Sequence, residues 1–125
     1  MPSVLNVDTI VAANGTDPVA LTKQSAAKAF AQFAGDGTAQ INESFGMSSL
    51  SDTGAGLYVL TVSSAMSSSD YTVVLHGIND VSYPAHVGSY DTARTTTTFP
   101  VNSSNTNSSW ADVATLDAVI FGDLA

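Results

Sequence analysis

From Ala39 onward the chain is a series of short alternating or apolar runs, each closed by a cluster of Gly, Asp, Ser or Asn. Ala39–Phe45 places Ile41 and Phe45 on one face of a pleated strand. Asp52-Thr53-Gly54-Ala55-Gly56 is a turn leading into Leu57–Val62, and Ser67–Asp70 is a second turn leading into Tyr71–Gly77. Further strand-like stretches fall near Val81–Tyr90, Thr95–Val101 and Val113–Phe121, while Asn102–Ser109 reads as a low-complexity loop. Strands recurring at this even spacing, with turns between them, predict an all-β fold: a small antiparallel sandwich or barrel. No motif in the chain constrains it as much.

Composition points the same way. Serine and threonine supply 31 of 125 residues and charged side chains only 11%, against about 25% in an average soluble protein. The acids are ten Asp and one Glu, and the bases are Lys23, Lys28 and Arg94. Asp, Ser, Thr and Gly suit turns and strands, whereas exposed helix faces are built largely from Glu and Lys. A chain of 125 residues has room for one domain. A net charge of −8 leaves no basic surface to meet phosphates, which argues against nucleic acid and anionic membranes as partners. No apolar run approaches the roughly 20 residues that span a bilayer, and the N-terminus lacks the basic and apolar regions of a secretory signal. With no cysteine there is no disulfide framework, thiolate metal site or thiol nucleophile.

Val4–Val11 alternates, with Leu5, Val7, Thr9 and Val11 on one face. Asn14-Gly15 and Asp17-Pro18 then mark a turn before Val19-Ala20-Leu21. Residues 1–22 therefore read as an extended arm or hairpin ahead of a β module spanning 23–125. The apolar arm face of Leu5, Val7 and Val11 is the candidate assembly contact. Ser25–Phe33 admits two readings. Ala26, Ala29, Phe30 and Phe33 fall at helical spacing; alternatively Ala29, Ala31 and Phe33 alternate with Lys28, Phe30 and Gln32 as in a strand. Local propensity favours the helix, and Gly35-Asp36-Gly37 ends the segment either way.

Residues that could carry chemistry are few. No serine sits in a Gly-x-Ser-x-Gly elbow. His76 and His86 are the available bases, with Asp70, Asp80 and Asp91 near them in sequence. In a chain so rich in Ser and Asp such neighbours arise by chance, and His76, at the end of an apolar strand, reads as an edge histidine. The two histidines lack a ligand spacing, the aspartates fall in separate turns, and no calcium loop appears. A single Glu singles out no carboxylate pair for glycoside hydrolysis. Gly54-Ala55-Gly56 lacks the Lys and following helix of a phosphate loop. No catalytic residue, metal or cofactor is expected. Tyr83, His86, Tyr90 and Trp110 form a candidate surface for a glycan or a protein partner, although packing is the ordinary use of such rings.

Phe45-Gly46-Met47-Ser48-Ser49-Leu50-Ser51-Asp52-Thr53-Gly54-Ala55-Gly56-Leu57-Tyr58-Val59-Leu60-Thr61-Val62 continues through Met66 to Asp70-Tyr71-Thr72-Val73-Val74. This stretch resembles a module of tailed-phage virion proteins, those of marine phages above all. Leu21–Phe30 is similar to the lead-in of such proteins, Leu5–Ile10 to their opening strand, and Asp117–Asp123 to their closing strand. The resemblance covers both ends and the middle and fades between Gly77 and Asn107. It implies a virion structural protein of the tail-fibre or minor-structural kind, trimeric and all-β, with no catalytic residues to carry over. It also moves residues 28–33 from helix toward strand. The short stretch ahead of the module is too little for a fibre stalk, which favours a capsid decoration (cement) protein, a head fibre or a small fibre tip. The expected partners are copies of the chain itself in a homotrimer, and the major capsid protein or another virion or fibre protein. The expected location is the virion surface. A glycan-binding receptor tip is the alternative reading.

Overall fold

The computed structural model describes residues 26–78, 85–89, 94–104 and 109–125. Among them are eight strands and no helix: β1 (Ala29–Ala34), β2 (Gln40–Phe45), β3 (Met47–Gly54), β4 (Leu57–Val62), β5 (Thr72–Ile78), β6 (His86–Gly88), β7 (Thr98–Ser104) and β8 (Thr115–Phe121). They form two four-stranded antiparallel sheets, ordered β2-β1-β8-β5 and β3-β4-β7-β6. The all-β expectation holds in this form. Residues 1–25, and with them Leu5, Val7 and Val11 of the proposed arm, lie outside the described residues.

The helical reading of Ser25–Phe33 is corrected: its second half is strand β1. Ala29, Ala31 and Phe33 are buried, while Phe30 and Gln32 face outward. β1 is bonded on both sides, to β2 and to β8. A helix would forgo both ladders, and helix propensities separate ordinary residues by less than about 1 kcal/mol each. Two-sided pairing wins.

The same alternation builds the rest of the core. Leu116, Ala118 and Ile120 of β8 join β1 in the inner face of the first sheet, and Tyr58, Leu60, Val62, Phe99 and Val101 form that of the second. The rings of Phe33 and Tyr58 meet edge-on with centroids 5.4 Å apart. Between β2 and β3 the chain passes from one sheet to the other at Gly46, whose φ is +67°. A Cβ there would lie 2.9 Å from the Lys28 carbonyl oxygen, so glycine is required by both conformation and space.

Two boundaries differ from the sequence reading. β3 continues to Gly54, so the expected Asp52–Gly56 turn shrinks to its last two residues. β7 runs through Asn102, Ser103 and Ser104, where the sequence predicts a loop. Ser103 is fully buried because its polar atoms are satisfied: its N–H donates to Gly56 O at 2.8 Å and its Oγ to Ala111 O at 2.7 Å. Of the strand expected over Val81–Tyr90, the described part is β6.

Two polar anchors tie the connections down. Arg94 Nη1 donates to Tyr71 O at 2.6 Å and its guanidinium stands 5.0 Å from the Tyr71 ring centre. Tyr71 Oη lies 2.9 Å from Thr95 O and 3.0 Å from Thr98 O. Asp112 Oδ1 accepts the Gly56 N–H at 2.7 Å and the Tyr58 hydroxyl at 2.8 Å. The same hydroxyl oxygen is 3.0 Å from Gly35 O. One exposed carboxylate thus joins the β3–β4 turn, the core and the lead into β8.

Candidate functional site

Of the four residues singled out as a glycan or partner surface, His86 and Trp110 are described; Tyr83 and Tyr90 lie outside the described residues. His86 opens β6, an edge strand, and pairs with Ser104 of β7. Trp110 bridges the same Ser104. It does so on the β4 side, where Ser103 N–H is taken by Gly56 and Ser103 C=O by Ala111. The two residues therefore flank one position of β7, two strand spacings or about 10 Å apart. Trp110 is 52% exposed and His86 is exposed. An exposed indole and an exposed imidazole on the two sides of one strand position offer a stacking surface and a hydrogen-bonding group.

The carboxylate that His76 meets is not Asp70 but Asp117, directly across the β5–β8 register; Asp80 and Asp91 lie outside the described residues. His76 Nδ1 is 3.1 Å from Asp117 Oδ2, and Asp117 Oδ1 accepts Gln32 Nε2–H at 3.1 Å. The pair stands on an open sheet face. Among the described residues no three His, Asp or Glu side chains come together to hold a metal ion.

Sequence reasoning misses that sheet face. Strand registers align Phe45, Phe30, Val119 and Val74 in one row across β2, β1, β8 and β5. Phe45 is 61% exposed, Val74 53% and Phe30 38%. The Phe30 and Phe45 rings stack with centroids 6.1 Å apart. The neighbouring row on the same face is Glu43, Gln32, Asp117 and His76. A shallow groove runs between the rows, lined by Phe30, Gln32, Glu43, Asp117 and Val119. The signal in the sequence is Phe30 and Gln32, the outward members of the strand reading of residues 28–33.

A second apolar groove opens where the described chain begins. Ala27, Ala29, Phe45, Val62, Met66 and Leu124 line it. Comparison of the chain with protein-family models, with curated proteins and with solved structures finds no match.

Proposed function

We propose that this chain is a non-enzymatic structural protein of a tailed-phage virion, a trimeric capsid decoration (cement) or short fibre protein at the particle surface. In this reading the two sheets form a β-sandwich and residues 1–22 an anchoring arm. The observation that carries the proposal is where the resembling stretches lie. The lead-in ends in β1, the middle covers β3 and β4 and enters β5, and the closing stretch holds most of β8. Far apart in sequence, they are neighbours in space: β1 pairs with β8, and Met66 bridges Leu124 just past the closing stretch. Among the described residues, most of the stretch where the resemblance fades is β7 and the edge strand β6. The phage-like stretches thus supply strands to both sheets, as the parts of a shared structural module would.

The physical setting suits assembly on a particle. A Ser- and Thr-rich surface with few charges forms hydrogen-bonded contacts without desolvating ions. Many copies on a lattice turn a modest contact into firm attachment. In this reading an arm strand gains hydrogen bonds and apolar burial by adding to a neighbour's sheet edge, and the groove lined by Ala27, Ala29, Phe45, Val62, Met66 and Leu124 offers apolar surface for it. Deleting residues 1–16 is expected to leave the β-type circular dichroism intact. It should lower the light-scattering mass from three times 12.8 kDa, or lower co-sedimentation with empty capsids. An undiminished trimer that still binds particles fully would defeat the anchoring role of Leu5, Val7 and Val11.

The exposed Trp110 and His86, flanking Ser104, favour a second reading, a glycan-binding tip. Under it, the soluble protein binds on a glycan array and Trp110→Ala abolishes binding without unfolding. Silence across the array together with capsid binding would select decoration.

A further inference from the structure

We propose that the outer face of the β2-β1-β8-β5 sheet is a self-association surface that packs on the same face of a second copy about a two-fold axis along the strands. The two rows on this face dictate the geometry. An axis parallel to the strands, between β1 and β8, sets β2 of one copy over β5 of the other and β1 over β8. Row heights are preserved. Phe45 then lies over Val74 and Phe30 over Val119, so the apolar row meets an apolar row. Glu43 lies over His76 and Gln32 over Asp117, each twice by symmetry.

The charges make this arrangement specific. Glu43 and His76 stand at opposite ends of the polar row, on the outer strands β2 and β5, so the axis brings them together. His76 uses Nδ1 toward Asp117, which leaves Nε2 for Glu43 of the second copy. Asp117 faces the amide of Gln32 instead of another carboxylate. Turning the axis at right angles, along the apolar row, sets Asp117 against Phe121 and gives Glu43 no basic group opposite. Aligned sheets pack face to face about 10 Å apart, within reach of these side chains.

Area sets the strength. Four strands about 4.8 Å apart, with about five residues along each, make a footprint of roughly 300 Å² per copy. That is below the roughly 800 Å² per partner of a stable complex, so the contact is weak and reversible in solution. It joins basal species, whether those are monomers or arm-linked trimers, and is independent of the virion reading.

Sedimentation velocity on the full chain over a concentration series tests it. The wild type should gain mass above its basal species as concentration rises. Glu43→Lys and His76→Glu, each folded by circular dichroism, should each raise the dissociation constant of that step at least about tenfold, the first by replacing the acceptor that faces His76 Nε2 with a donor and the second by setting two carboxylates together. An equimolar mixture of the two variants should associate again. In the mixed pair the lysine introduced at position 43 meets the glutamate introduced at position 76, while the unchanged His76 of one copy meets the unchanged Glu43 of the other. No mass gain in the wild type up to about 1 mM, unaffected single variants, or a mixture that stays dissociated would each overturn the proposal. The mass of the basal species reports separately on the trimer.

Discussion

Asp112→Ala is expected to lower the unfolding free energy by about 2–4 kcal/mol, a large loss for a side chain on the surface. The substitution strands the Gly56 N–H, which now donates to Asp112 Oδ1 at 2.7 Å, and removes the nearer acceptor of the Tyr58 hydroxyl. Tyr58 can still turn its proton to Gly35 O at 3.0 Å, so part of its loss is recovered. Gly56 has no such second choice. It sits at φ +66° in the β3–β4 turn, packed against Ser103 O and Ala111. Its N–H cannot be re-aimed without moving that turn, and bonds to a charged acceptor are worth about twice a neutral one. Asp112→Asn keeps the acceptor oxygen and should cost about 1 kcal/mol. Chemical denaturation of the two variants measures both, and an alanine variant within about 0.5 kcal/mol of wild type would show the carboxylate to be dispensable.

Asp112 also shows where sequence reasoning stops. In sequence it is one of ten aspartates in a chain full of turns, and nothing marks it as the acceptor for residues 54 and 56 positions away. What is legible depends on local pattern. Leu57–Val62 is a run of β-prone residues bounded by the Gly54–Gly56 turn and by Ser63-Ser64, and the expected and observed bounds of β4 coincide. β5 is displaced by one residue from its expected span. β1 is ambiguous in sequence because alanine packs as well in a helix as in a sheet, and the deciding partner, β8, lies more than 80 residues on. The expected end of β7 falls short because Ser103 looks like loop chemistry until its distant hydrogen-bond partners are known. Of the outer face of the first sheet the sequence shows only Phe30 and Gln32, for the same reason. Its polar row takes Glu43, Gln32, Asp117 and His76 from four strands that only the fold brings into register. His86 and Trp110 can be named as residues, but their shared pairing with Ser104 cannot.

Alkaline pH is expected to unfold this protein through its tyrosines. Burial pushes the Tyr58 hydroxyl well above its ordinary value of 10.0, and the Asp112 carboxylate, which accepts its proton and would repel a phenolate, pushes it further. Burial also raises Tyr71, with the Arg94 cation opposing it in part. An acid whose pKa is raised by folding contributes its stability in full below the unfolded value. Above pH 10 the unfolded chain releases protons that the native state keeps, and stability falls until the native groups ionise as well. The slope is up to about 1.4 kcal/mol per pH unit for each such tyrosine. Beside these two tyrosines the chain has only two more tyrosines and two lysines of the kinds that ordinarily titrate there. Denaturation at pH 8, 10 and 11 should therefore show little change over the first step and a steep loss over the second. Tyr58→Phe gives up a hydrogen bond and starts lower by about 1 kcal/mol, yet its alkaline limb should be shallower because one proton-holding group is gone. Tyrosinate absorbance on the folded protein should likewise show phenols that resist ionisation until the fold opens. An alkaline limb equally steep in Tyr58→Phe would place the linked protons elsewhere.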